Sequence, residues 1–320
     1  MKRGRFAPTP SGEMHLGNAK IALLSWLQMR AVLGEFVLRI EDIDTQRSRA
    51  DIAERIPEDL RWLGLDWDFG PAADDRLGPY TQSMRLSYYE DALAQLEQTG
   101  RLYPCYCSRA ELLSMAGAPH GLASEGAPYA GTCRNLDPEE RKEREKRKSP
   151  SLRFAIGEDP IRFDDGIAGP QSFPPGSGGD FVVRRADGLF SYQLAVTVDD
   201  ALMGITDVLR GGDLLDSTPR QLELYLALGC APPDFSHAPL LLGEDGRRLA
   251  KRHGDLSLAS LRAAGKQPEA IIGWLAKTSG LIDRYEPVAA KELIRSFSLD
   301  RIAKQPYYLS KKDFDFFIST

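Results

Sequence analysis

Cys105, Cys107 and Cys133 fall in one short stretch of a chain whose fourth cysteine, Cys230, stands far away. A Cys-x-Cys pair with a third thiol returned by a Gly/Ala/Pro-rich loop suits a structural zinc better than a disulfide framework, because zinc takes four ligands in a closed tetrahedron. Three sulfurs leave one position, and two residues compete for it. His120 offers an imidazole, the better ligand in general; Tyr129 offers an unusual phenol, placed one turn before Cys133. Cys230 is expected in the core.

A second chemistry lies in residues 5–18, Arg-Phe-Ala-Pro-Thr-Pro-Ser-Gly-Glu-Met-His-Leu-Gly-Asn. Phe6 and Ala7 end a short buried strand, Pro8, Pro10 and Gly12 stiffen a turn that cannot pair in a ladder, and a helix opens near Asn18. Strand, tight loop and helix N-terminus form an anion-binding arrangement, with first-turn amides and the positive dipole end facing the ligand. His15 adds a donor, and Gly17 allows a close approach to the backbone. Glu41 and Asp42 follow the next strand at its carboxyl end, where a solvated turn is the plain alternative to a ligand contact.

The elements that must carry these residues alternate. Residues 19–33 have helical spacing closed by Gly34, and 35–43 read as a buried strand, so strand, helix and strand begin a Rossmann-like, doubly wound parallel sheet of the α/β class. Residues 51–63 form an amphipathic helix, 70–79 a loop, and 84–99 a helix with Tyr88 and Tyr89 in the core. The basic run at 141–148 forms a helix that is either a solvated face held by i,i+4 pairs or a phosphate contact. Irregular β structure follows over 153–179. The chain then returns to the sheet at 181–185, turns at 186–188, runs through 189–200, and enters a strand over 205–209, so that Tyr192 and Arg210 stand at strand ends. Thr218 caps a further helix.

The chain has 320 residues, enough for roughly two ordinary domains. With 42% hydrophobic and 27% charged residues it is globular, and a net charge of −5 excludes a global positive field, so any RNA contact must be a local patch. Its apolar runs are too short to span a bilayer. The expectation is a cytoplasmic enzyme without a membrane partner.

Together these stretches resemble the class I aminoacyl-tRNA synthetases of the glutamyl group. That group opens Arg-x-Ala-Pro-Ser-Pro-Thr-Gly before a His-x-Gly-His tetrad; here Thr9 and Ser11 exchange the two hydroxyl types, and Asn18 takes the last place of the tetrad. Arg39-Ile40-Glu41-Asp42 matches the group's second motif. Residues 247–254, Arg-Arg-Leu-Ala-Lys-Arg-His-Gly, are similar to the Lys-Met-Ser-Lys-Ser loop, with Lys251 on the second lysine, Arg248 on the first and Ala250 in place of serine. The Cys-x-Cys, Tyr-x-x-x-Cys pattern and the Asp-Leu-Leu-Asp-Ser-Thr-Pro-Arg-Gln stretch are similar to the short, queuosine-modifying branch of the group. In that branch the tyrosine is a zinc ligand, which selects Tyr129.

The resemblance implies a catalytic domain over 1–102 and 181–242, split by a zinc-bearing, acceptor-binding-like module over 103–180. A helical, stem-contact-like tail at 243–320 follows, with the anticodon-binding domain of longer relatives missing. It implies that Arg5, Thr9, Glu41, Tyr192 and Arg210 hold glutamate, with Glu41 on its ammonium and the two arginines on its γ-carboxylate. His15, Gly17, Asn18, Arg248 and Lys251 then take ATP with Mg²⁺, and His15 and Lys251 stabilise the transferring phosphate. Cys105, Cys107, Tyr129 and Cys133 hold one zinc ion. The implied reaction forms glutamyl-adenylate and passes the glutamyl group to a tRNA hydroxyl, the queuosine of tRNA(Asp) before the 3′ end of tRNA(Glu); a catalytically silent paralogue is the remaining alternative. A monomer is expected.

Overall fold

The computed structural model of the chain describes residues 1–108, 110–112, 129, 131–247 and 256–318. In chain order its strands are β1 (Arg3–Phe6), β2 (Glu35–Leu38), β3 (Leu102–Cys105), β4 (Ser151–Phe154), β5 (Ile161–Asp165), β6 (Gly169–Phe173), β7 (Phe181–Arg184), β8 (Asp207–Gly211), β9 (Asp234–Ala238), β10 (Leu241–Leu242) and β11 (Tyr307–Tyr308). Three helices of the first hundred residues are α1 (Leu16–Ala31), α2 (Ala50–Trp62) and α3 (Leu86–Gln98).

One sheet, in the order β2-β1-β8-β9, is parallel throughout. From β1 the chain crosses through α1 to β2 on one side, while β8 and β9 lie on the other. The strand order therefore reverses between β1 and β8, and a crevice opens there at the carboxyl ends of the strands, the usual ligand position in open α/β sheets. The apolar face of α1, with Leu16, Leu23, Leu24 and Leu27 fully buried, packs into the largest core cluster. That cluster also takes Leu258, Ile271, Trp274 and Phe317 from the last sixty-odd residues of the chain, so the tail is anchored on the same core as the sheet. Trp274 donates its indole N–H to Asp313 at 2.9 Å, which closes this end.

β3, β4 and β7 form a separate antiparallel sheet, and β5 and β6 a hairpin. The strand over residues 181–185 thus pairs with β4 and does not rejoin the parallel sheet. A second difference follows directly after it. Residues 189–200 read as extended because Phe190, Tyr192, Val196, Thr197 and Val198 favour strands, yet only Phe190 makes a bridge, to Arg184. Ser191 then caps a helix, Tyr192–Leu202, its hydroxyl accepting from Leu194 N at 3.3 Å. Gln193 to Asp200 are all buried in this helix. A helix buried on every side has no apolar stripe, so its period cannot be read.

Smaller shifts have local causes. α1 begins at Leu16, earlier than expected, because His15 acts as its N-cap. The strand β2 ends at Leu38; Arg39 N still bonds Phe6 O of β1, and the next residues turn to other partners, Ile40 N to Tyr80 O and Glu41 N to Pro8 O, at 2.8–3.1 Å. The helix in the basic run is Pro138–Glu145 and stops short of Lys148. Of the two tyrosines of α3, Tyr89 is buried, but Tyr88 is 37% exposed.

What locks these pieces together is a buried ion cluster. Arg39 donates to Asp200 at 2.8 Å and to Glu41 at 2.9 Å, and its Nε lies 3.5 Å from Asp199. Asp199 also accepts from Arg85 Nε (2.6 Å), Gln82 Nε2 (2.8 Å) and Tyr89 OH (3.0 Å). Asp200 takes Arg5 Nε at 3.3 Å. These contacts tie β1, the end of β2, the turn before α3, α3 itself and the Tyr192–Leu202 helix at one point. Burial works against ionisation of Asp200, but Arg5 and Arg39 outweigh it and hold its carboxyl below the usual range. Removing one member of such a cluster strands buried charges. Asp199→Ala should therefore cost about 3–5 kcal/mol in denaturant unfolding; a loss below about 1 kcal/mol, the scale of an exposed pair, would contradict this role.

Candidate active site

The crevice between β1 and β8 is a cleft of about 570 Å³. Arg5, Thr9, Glu41, Tyr192 and Arg210 line it from β1, the following loop, the end of β2, the first turn of the Tyr192–Leu202 helix and the end of β8. His15, Gly17 and Asn18 line the same cleft from the start of α1. The structure therefore brings together eight residues that the sequence singled out, though Tyr192 arrives on a helix. Arg248 and Lys251, with the loop that carries them, lie outside the described residues, as does His120. The chain beyond that loop is fixed to the cleft: Leu258 N donates to Met14 O at 2.7 Å, and Ser257 bridges His15.

The cap of α1 changes the expected chemistry of its first turn. His15 Nδ1 accepts from Gly17 N at 3.0 Å, and Asn18 Oδ1 accepts from His15 N at 3.2 Å. The Gly17 amide is thus already bonded, and the neutral imidazole carries its proton on Nε2. A Cβ on residue 17 would stand 2.9 Å from His15 Cε1. Gly17 is needed to seat the histidine ring, a reason distinct from ligand approach. Lys20, which nothing in the sequence pattern marks out, also lines the cleft. Its Nζ donates to Pro239 O at 2.8 Å, and burial lowers its pKa to about 8.

Arg5, Glu41 and Arg210 differ in their partners. Arg5 is bonded to Asp200, and Glu41 to Arg39. Burial raises the Glu41 pKa even though Arg39 and Arg5 oppose it. Among the described residues Arg210, 3% exposed, has only uncharged hydrogen-bond partners: His237 Nε2 at 2.9 Å, Gln221 Oε1 at 2.8 Å, Thr218 Oγ1 at 3.0 Å and Leu214 O at 3.5 Å. Phe235 covers its face at 5.0 Å. Desolvation and the charge of Arg5 lower its pKa, while Tyr192 and Asp200 oppose the shift. Two guanidinium groups and a carboxylate thus line one cleft, groups whose charges complement an anionic and a cationic group of a ligand. Asp42, next to Glu41, braces the neighbouring turn, accepting from Ser83 N and Oγ at 2.7 and 2.6 Å. Gln82 and Arg85, in the turn before α3, bond Asp199 of the ion cluster.

Away from the cleft, Cys105, Cys107 and Cys133 place their sulfurs within 4.8 Å of one another. Cys107 and Cys133 are 3.7 Å apart, and the Tyr129 hydroxyl lies 3.5 Å from Cys105 Sγ and 3.8 Å from Cys107 Sγ. Tetrahedral zinc bonds of about 2.3 Å would hold two sulfurs about 3.8 Å apart, so the spacing fits. Burial and the neighbouring Cys105 push the Cys107 thiol up to about 12, a barrier to ionisation that a bound dication removes. Arg153 stacks on the Tyr129 ring at 3.8 Å, and Lys148 donates to the carbonyls of Tyr106 and Cys107 at 3.2 and 2.7 Å. In the basic run, Glu143 pairs with Lys146 and Arg147 on the surface.

A parallel sheet with its crevice at the strand-order reversal, a histidine-capped helix and convergent arginines define a class I synthetase active-site cleft. The chain belongs to this family: residues 2–316 match the model for tRNA synthetases class I (E and Q), catalytic domain. It is 64% identical over 304 residues to the glutamyl-Q tRNA(Asp) synthetase of Symbiobacterium thermophilum, covering 95% of this chain and 94% of the relative. To the glutamyl-Q tRNA(Asp) synthetase of Nitratidesulfovibrio vulgaris it is 50% identical over 309 residues, covering 96% and 95%. The crystal structure of a glutamate tRNA ligase from Elizabethkingia meningosepticum in complex with its amino acid superposes with a TM-score of 0.84 at 30% identity, over 99% of this chain and 68% of that one. Among the described residues no helix is long and apolar enough to cross a membrane.

Proposed function

We propose that the chain is a ligase that activates glutamate with ATP and transfers the glutamyl group to the queuosine of tRNA(Asp). The observation that carries the glutamate reading is Arg210: a buried guanidinium in the cleft whose hydrogen-bond partners among the described residues are all uncharged. Its charge calls for a ligand carboxylate, and the γ-carboxylate of glutamate supplies one, with Arg5 beside it. Glu41 takes the ammonium group, and Tyr192 and Thr9 shape the remaining wall. The kinship with two glutamyl-Q tRNA(Asp) synthetases over nearly their whole length supports the choice of acceptor.

In the first step the α-carboxylate of glutamate attacks the α-phosphate of ATP in line, and pyrophosphate leaves. Nothing in this step needs a nucleophilic side chain. His15 donates from Nε2 to phosphate oxygens, Gly17 and Asn18 border the nucleotide, and Arg248 and Lys251 offset the charge that grows on the departing pyrophosphate. Magnesium, carried in with ATP, neutralises part of the phosphate charge. In the second step a queuosine hydroxyl attacks the acyl carbon, AMP leaves with the bonding pair, and the hydroxyl proton passes to the departing phosphate. The thiol cluster is a structural zinc site of Cys105, Cys107, Tyr129 and Cys133, which ties the chain around Cys133 to the end of β3.

Glutamate-dependent ATP–pyrophosphate exchange should proceed without tRNA, and Lys251→Ala should slow it by on the order of 10²-fold. Labelled glutamate should appear on queuosine-containing tRNA(Asp) and not on the same tRNA lacking the modification; equal labelling of both, or charging of tRNA(Glu) alone, would reject this acceptor. Metal analysis of the purified protein should find one zinc per chain, with weaker retention in Tyr129→Phe. Zinc kept by Tyr129→Phe but lost in His120→Ala would assign the fourth ligand to the histidine.

A further inference from the structure

Arg210 is held by more than its own strand. An arginine cannot accept a hydrogen bond, so the His237 nitrogen facing its Nε at 2.9 Å must present a lone pair, and the imidazole proton must sit on Nδ1. There it points at Asp165 Oδ2, 2.5 Å away. The other oxygen of Asp165 accepts three backbone amides, from Ile167 (3.0 Å), Ala168 (2.8 Å) and His237 itself (3.0 Å). Asp165, His237 and Arg210 are 4%, 3% and 3% exposed, so water does not compete for these bonds. Phe235 supports the group from below: its ring stacks on His237 at 6.1 Å and underlies the Arg210 guanidinium at 5.0 Å.

Asp165 does not come from the parallel sheet. It ends β5, and the following Gly166 donates to Phe235 O at 2.9 Å. A Cβ at residue 166 would come within 2.4 Å of Ser236 Oγ, so the hairpin packs closely on β9 at this point. The seat of the β5–β6 hairpin and the aim of Arg210 are thereby joined through one imidazole.

We propose that Asp165 and His237 are positioning residues for amino-acid recognition. Asp165 fixes the imidazole tautomer, the Nε2 lone pair aims Arg210 at the ligand carboxylate, and the fit of the amino acid depends on how the β5–β6 hairpin is seated. The proposal rests on the reading of Arg210 as the carboxylate-binding arginine. Its distinguishing consequence is chemical, since a side chain with one acceptor and one donor can replace the imidazole, whereas an apolar one cannot. Asp165→Asn keeps the shape but lets the amide donate to Nδ1, which turns Nε2 into a donor facing a donor.

The test is ATP–pyrophosphate exchange by the full chain, with KM measured separately for glutamate and for ATP. Asp165→Asn and His237→Leu should raise the glutamate KM by on the order of 10- to 100-fold, the scale of losing a bond to a buried charge, and leave the ATP KM within about threefold. His237→Gln should restore most of the glutamate KM. Arg210→Lys, measured alongside, tests the underlying reading: an unchanged glutamate KM in that variant would overturn the reading and the proposal with it. If Arg210→Lys impairs glutamate binding but Asp165→Asn does not, or if the KM values of both substrates rise together, or if His237→Gln is no better than His237→Leu, the proposal falls and the reading stands. Asp165→Asn, isosteric with the native residue, carries the test if His237→Leu fails to fold.

Discussion

Two adjacent acids on one buried helix, Asp199 and Asp200, hold Arg5, Arg39 and Arg85 at the point where the strands, α3 and the cleft meet. Successive residues on a helix point in directions about 100° apart, so the pair can serve different partners. Asp199 turns to Gln82, Arg85 and Tyr89, and Asp200 to Arg5 and Arg39. Charges buried this deeply cost several kcal/mol each unless every one is paired. Pairing therefore sets the geometry: the end of β2 must meet this helix, and Arg5 and Glu41 must face the cleft at fixed positions.

Against that background Arg210 is an exception with a use. The three arginines of the cluster each contact a carboxylate, while Arg210 is bonded to an imidazole, an amide, a hydroxyl and a carbonyl. These partners orient the guanidinium without neutralising it, and on the function proposed above that charge is reserved for the ligand. Preorganised charge in a site screened from water is what a specific carboxylate receptor requires, because the reorganisation has been completed during folding.

Much of this was legible in the chain. Pro8, Pro10, Gly12 and His15 mark a loop and a helix start, and Glu41 follows a mostly apolar strand; side-chain type and spacing suffice for such features. The ion cluster was hidden because Asp199 and Asp200 sit among Val196, Thr197 and Val198, in a helix whose eight consecutive buried residues erase the 3.6-residue period. Arg39, inside an apolar run, looked like part of a motif and not like the hub of three acids. His237 and Asp165 are far apart in sequence, and neither the type nor the spacing of a lone histidine in a strand announces a partner. Register decides these contacts, and register between distant strands is a tertiary property. The Gly17 case is similar: a close approach was foreseen, but the neighbour that demands it is the histidine two residues earlier.

The central claim is that the cleft reserves a buried positive charge for the side chain of its amino acid. Glutamine has the shape of glutamate without that charge, so the two ligands isolate its effect. Calorimetric titration of the full chain with L-glutamate and with L-glutamine, each in the presence of a non-hydrolysable ATP analogue, measures it directly. Glutamate should bind at least about 100-fold more tightly, the scale of leaving a buried charge unpaired. Affinities within a few-fold of each other would contradict the claim.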